Sequence, residues 1–171
     1  MPTSPPLTFQ ALLLLTVLLC SLVAGFLFAF AVVVMPGLGR LDDREFIQAF
    51  QAIDGVIQRN QPLFMLVWVG SVLSAIATAT SGLWTLGAVD RVVAIVAVLE
   101  YLFGVQLPTI AVNIPLNNQL QKVDSGALDD SARRQVRTRF EVRWNRWNRV
   151  RTAFACITSL LLLFLLATAG R

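Results

Sequence analysis

FQALLLLTVLLCSLVAGFLFAFAVVVM, residues 9–35, carries no charged side chain from Phe9 to Met35. Three more apolar runs follow, Pro62 to Val89, Val92 to Val112 and Val150 to Ala169. Each is at or above the roughly 20 residues that a helix needs to cross a bilayer. A composition of 56% hydrophobic and 14% charged residues would leave a water-soluble domain coated in apolar surface. The expectation is one membrane domain over residues 1–171, with transmembrane helices at about 9–35, 62–89, 92–112 and 150–169.

Composition also removes several chemistries. The chain has no His, which excludes His-ligated haem, most zinc sites and a Ser-His-Asp triad. Cys20 and Cys156 lie far apart inside apolar runs and lack metal-ligand spacing. Gly37-Leu-Gly39 has no strand-turn-helix setting and reads as a helix stop, not a phosphate loop. No cofactor and no metal is expected. The first run has no Lys or Arg before it and outlasts the roughly 7–15-residue core of a signal peptide, so it reads as a retained helix.

Charge sets the expected orientation. Segments 36–61 and 113–149, with Arg151 at the boundary, hold twelve of the Lys and Arg residues, whereas the other side holds only Arg91 and Arg171. An excess of Lys and Arg marks the cytoplasmic face. The chain is therefore expected as a multi-pass protein of the cell (plasma or inner) membrane with both termini outside. With a pI near 10, nucleic acid is a conceivable partner, but arginines beside membrane helices meet anionic lipid headgroups first. Membrane lipids are the expected partners and nucleic acid is not.

Between the runs the sequence is also structured. Asp42 and Glu45 have capping-box spacing, and Phe46, Phe50, Ile53 and Ile57 recur at helical intervals, which predicts an amphipathic helix from Asp43 to about Arg59, ended by Pro62. Asp54 falls close to its apolar face, where an arginine partner would suit it. Small residues along Gly70–Gly82 and at Ser21, Gly25 and Ala29 predict close packing of the first two runs. After the flexible turn 124–131 nothing breaks a helix until Gly170, a length of roughly 60 Å at 1.5 Å per residue. The fold class expected is an all-α integral membrane four-helix bundle, with an amphipathic helix in the first loop and a long fourth helix projecting into the cytoplasm.

Polar residues return to the bundle in three places. Asn113 and Asn117 flank Pro115, where the helix is expected to break or kink and free carbonyl groups. Trp144, Trp147, Asn148 and Arg151 share one face of the fourth helix, while Arg139, Arg143 and Arg146 lie on another. These residues either brace the bundle end or line a pocket there. Glu100 stands mid-run, where a charge costs roughly 2.5–3.5 kcal/mol on insertion scales and usually faces the protein interior. It is either a hydrogen-bonded interhelical carboxyl or a proton donor and acceptor.

Gly25-Phe26, Met35-Pro-Gly-Leu38, Gln51-Ala-Ile53, Asn113-Ile-Pro-Leu-Asn117-Asn and Trp144-x-x-Trp147-Asn148-x-Val150-Arg151-Thr, in this order, resemble the anthrone oxygenase-like family of small four-helix membrane proteins. The resemblance covers nearly the whole chain. Two positions depart from the family pattern: Arg149 stands where His is common, and Asp54 where Asn is common. What the resemblance implies is oxidation of a hydrophobic aromatic of anthrone or phenol type by O₂ without a cofactor. Such chemistry needs a base, donors for the resulting anion and an apolar pocket. On that reading Asn113, Asn117 and Asn148 stabilise the anion, Arg151 holds negative charge, Trp144 and Trp147 stack on the rings, and Glu100 or Asp54 is the base. The competing class is a non-enzymatic scaffold, lipid-binding module or carrier subunit.

Overall fold

The computed structural model describes residues 5–169, so the chain ends, their expected placement and Arg171 lie outside the described residues. Among the described residues there are only helices and the turns that join them. Four helices are long and apolar enough to cross a membrane: α1 (Leu7–Leu38), α3 (Pro62–Thr85), α4 (Ala88–Gln121) and α5 (Asp130–Thr168), with the shorter α2 (Asp43–Gln58) in the first loop. The protein is an all-α membrane helix bundle. Leu14, Leu18, Leu66, Leu73, Leu160 and Phe164 are exposed, as a surface facing hydrocarbon requires.

Local chemistry fixes the helix starts. In α2 the Glu45 amide donates to Asp42 Oδ1 at 2.8 Å and the Asp42 amide to Glu45 Oε2 at 3.4 Å, a reciprocal cap. Its buried face is Phe46, Ile47, Phe50 and Asp54; Ile53, expected on that face, is 36% exposed. Asn60 takes a left-handed conformation (φ 56°) between α2 and α3, which asparagine tolerates, and Pro62 opens α3 without leaving a useful N–H unpaired. Asp129 caps α5 by accepting from the Ala132 amide at 2.8 Å.

Packing forms a ring in which α1 and α4 each touch both α3 and α5. The α1–α3 contact was expected to use the small residues of both helices. Only α3 does so: Ser71, Ser74, Ala75, Thr78 and Gly82 are buried, and Thr16 and Thr78 hydroxyls meet at 2.8 Å. On α1, Gly25 and Ala29 face outward, and nothing lies within 4 Å of a Cβ placed at Gly25. Leu13, Thr16 and Cys20 of α1 are buried instead, because shallow polar and apolar side chains fill the groove that the small residues of α3 leave.

Of the break or kink expected at Pro115, no break occurs. Helix α4 runs on through Pro108 and Pro115, and its backbone widens into π-helical turns at Tyr101–Gln106 and Thr109–Asn113. A proline removes the N–H that would pair with the carbonyl four residues back; a π turn shifts that pairing by one residue and absorbs the defect. A third π turn, Phe30–Val34, lies in α1.

Two buried clusters result. One, around Leu13, Leu27, Tyr101 and Leu162, fills the ring toward the end that holds Leu86 and Leu165. The other, around Phe46, Phe50, Leu116, Phe140 and Trp144, joins α2 to the basic end of the bundle. Arg137 ties this second cluster down: it donates to the carbonyls of Gly39 (3.0 Å) and Leu41 (2.8 Å), pairs with Asp43 and Glu141, and covers the Phe46 ring at 4.5 Å.

Candidate functional site

Between the two clusters lies a cavity of about 200 Å³. That exceeds the roughly 150 Å³ apolar cavity that accepts benzene and falls short of the ~300 Å³ at which drug-sized pockets begin. It has room for a small flat aromatic and not for a whole lipid.

Six aromatic rings line the wall. Phe26 meets Phe30 at 4.8 Å and Phe64 at 5.2 Å, Phe64 stacks on Trp68 at 5.4 Å, and Trp144 lies 5.6 Å from both Phe30 and Phe50. Two of the three π turns border this space and carry Phe30, Thr109 and Asn113 in its wall; the other holds Gln106, whose Oε1 accepts from Nε1 of the wall residue Trp68 at 3.0 Å. Wide turns of this kind often mark functional sites, because they redirect side chains that a regular helix would stack.

The polar groups form two poles. At one, Arg151 is 4% exposed; Nη1 donates to Thr109 Oγ1 at 3.0 Å and Nη2 to Asn148 Oδ1 at 2.9 Å. Its guanidinium lies 5.6 Å from the Trp144 ring centroid, a cation–π contact worth about 0.5–2 kcal/mol. Nε has no partner, and among the described residues no carboxylate pairs with this cation. Asn113 is 2% exposed; its Nδ2 reaches the Trp144 carbonyl at only 3.5 Å, and Oδ1 has no partner. A buried cation without a counter-charge and a buried acceptor without a donor both cost free energy. A ligand with an anionic group and a hydroxyl would satisfy both.

The other pole is Asp54. Asn117 Nδ2 donates to its Oδ1 at 2.7 Å, and Gln58 and Gln121 donate to its Oδ2 at 2.8 and 2.9 Å. The expected arginine partner is replaced by three neutral amides, because α2 brings Asp54 against the polar end of α4 and away from the basic face of α5. Trp144 links the poles, since its Nε1 donates to Asn117 Oδ1 at 2.8 Å while its ring lies beside Arg151.

Asn113, Asn117, Trp144, Asn148, Arg151 and Asp54 thus border one cavity. Two other sequence candidates do not. Trp147 packs with the second cluster, one position around α5 from the opening, and Trp68 of α3 occupies the wall instead. Glu100 lies nine residues before Thr109 on α4, half-exposed and outside the cavity. Thr109 had a signal that the sequence reading passed over: Gln106, Thr109, Asn113 and Asn117 follow at intervals of three and four, one polar stripe on one helix face. Phe26, Phe30, Phe64 and Trp68 carry no such contrast with their apolar surroundings. Among the described residues no three His, Cys, Asp or Glu side chains gather as a metal-ligand set.

No curated protein and no solved structure matches the chain. The family model for anthrone oxygenase matches residues 54–161, well over half of it, and the chain belongs to that family. The matched stretch begins at Asp54 and contains Asn113, Asn117, Trp144, Asn148 and Arg151.

Proposed function

We propose that this member of the anthrone oxygenase family oxidises a hydrophobic hydroxylated aromatic of anthrone type with O₂, using acid–base and electrostatic catalysis in the cavity beside Arg151. The observation that carries the reading is the pairing, in one aromatic-walled space, of an uncompensated guanidinium with a carboxylate linked to it through Asn117 and Trp144. Asp54 accepts a proton from the activated ring methylene. The electron pair left behind spreads over the rings to the oxygen, whose negative charge meets the free Arg151 Nε–H. Asn113 Oδ1 accepts from a ring hydroxyl and fixes the orientation. The anion passes its electrons to O₂ as a carbon–oxygen bond forms. Loss of the second hydrogen as a proton and cleavage of the O–O bond then release water and leave the carbonyl. One methylene and one O₂ become one carbonyl and one water.

Turnover by purified protein in nanodiscs, with an anthrone and dissolved O₂, tests this directly. Asp54→Asn should keep the ligand and lose roughly 100-fold or more in rate, the contribution usual for a general base. Glu100→Gln, outside the cavity, should stay within about twofold of the unmodified protein. If the unmodified protein neither binds nor turns over any anthrone, the enzyme reading gives way to the non-enzymatic one.

The same proposal includes an orientation. The basic end, where the cavity lies, faces the cytoplasm of the cell membrane, since twelve of the Lys and Arg residues gather there.

A further inference from the structure

The cavity is closed unequally. Phe30, Phe50, Asn113, Trp144 and Arg151 on its inner wall are buried, whereas Ile57, Phe64, Met65 and Trp68 keep partial exposure and Ile114 is 45% exposed. The open rim therefore spans the end of α2, the start of α3 and Ile114 of α4. Its surroundings are apolar on the membrane side, where Leu63 and Leu66 flank the rim residues of α3 and Ile110 lies one turn before Ile114, all exposed. Toward the basic end they turn polar, with Arg59, Asn60 and Asn118 exposed. Such a change from apolar to polar surface belongs at the boundary between hydrocarbon and headgroups.

A second route from water stops short. Met35, Arg40, Glu141, Asn145 and Arg149 form a polar cleft of about 420 Å³ that shares only Asn148 with the cavity. Asn148 closes it, with Nδ2 donating to the Leu27 carbonyl at 3.2 Å and Oδ1 held by Arg151.

We propose that the cavity is loaded sideways from the leaflet at the basic end, through the rim between Ile57, Met65 and Ile114, by a bilayer-dissolved planar aromatic whose ionised form Arg151 holds once it is inside. The inference rests on the ligand reading of the cavity given above and adds the route and the preference of the site for the ionised form. Charge complementarity selects the occupant: among the described residues no carboxylate pairs with Arg151, the space is too small for a phospholipid, and aromatic faces line the walls. A hydroxylated aromatic of this class collects at headgroup depth, where the rim opens, and its polar oxygen reaches Arg151 as the rings slide between Phe64 and Trp144.

The test uses the full chain in phospholipid nanodiscs with anthracene-9-carboxylate as the probe, followed by the anisotropy of its own emission. Ile114→Trp should slow association and dissociation together by tenfold or more, as a narrowed doorway does, and Met65→Trp on the facing helix should act in the same direction. Asn145→Trp, which fills the polar cleft, should leave both rates within twofold. The uncharged methyl ester should bind at least tenfold more weakly than the acid. Unchanged rates in both rim variants, or slowing by Asn145→Trp alone, overturn lateral entry. Equal affinity for acid and ester overturns the anionic ligand. Absence of any binding by the unmodified protein removes the ligand reading of the cavity and the route with it.

Discussion

A guanidinium buried beside an indole, a threonine and an asparagine, with no carboxylate among the described residues to pair it, is an unfavourable arrangement. Desolvation of such an ion costs several kcal/mol, and an apolar side chain of similar size does not carry that cost. Arg151→Met should therefore leave the thermal midpoint of the ligand-free protein unchanged or higher, although Asn148 Oδ1 loses a donor. The same variant should bind anthracene-9-carboxylate at least tenfold more weakly. A fall of several degrees in the midpoint would identify Arg151 as a structural brace and remove it from the site. Residues of this kind were legible because polarity contrasts with an apolar run: Asn113, Asn148 and Arg151 stand out in the sequence and meet in space. Contrast alone misleads in two ways. Helical spacing groups Trp144 with Trp147 but does not say which of the two faces the opening, and Glu100 satisfies the rule for an intramembrane site while lying half-exposed outside it.

Helix α4 gives the cavity Thr109, Asn113, Ile114 and Asn117, more of its lining than any other helix, and its shape is set by two prolines. Pro108 and Pro115 leave the carbonyls of Gly104 and Ala111 without their usual partners, and the two π turns ending at Gln106 and Asn113 take up the mismatch. The sequence locates the disturbance but not its form, since a break, a kink and a widened turn all answer the same missing N–H. Close packing on α5 selects the widened turn. At Gly104 an added Cβ would collide with the Phe154 ring and its Cβ, so the two backbones approach as near as glycine allows. Gly104→Ala should destabilise the protein by about 1–3 kcal/mol, the usual cost of overpacking, read as a lower thermal midpoint. In a Phe154→Ala background the cost of Gly104→Ala should fall to half or less, because alanine lacks the Cγ and Cδ1 atoms that lie nearest the added Cβ. If Gly104→Ala is tolerated with no shift, the contact between these helices does not set the π turn.

The whole molecule is two buried clusters with a cavity at their junction, and only the outer plan of this was written in the hydropathy pattern. Helix number, the capped α2 and the long α5 follow from run length, caps and spacing. The division of the interior does not, because aromatic rings such as Phe30 and Phe50 read as ordinary core until α2 folds under the bundle and leaves a gap beside Trp144. Orientation decides which leaflet feeds that gap. Acidic residues contribute little to topology, so the weight falls on the twelve Lys and Arg residues near α2, the turn 122–129 and the basic half of α5, against Arg91 and Arg171. In a background with Cys20→Ala and Cys156→Ala, Ala127→Cys lies in the exposed turn before α5, and Val89→Cys is exposed at the opposite end of the bundle. A membrane-impermeant maleimide should label Val89→Cys in intact cells and Ala127→Cys only after permeabilisation. The reverse pattern would place the basic end outside and make the outer leaflet the source of the ligand. Lateral loading would survive that result, since the rim and its apolar surroundings are properties of the bundle, whereas a cytoplasmic origin of the substrate would not.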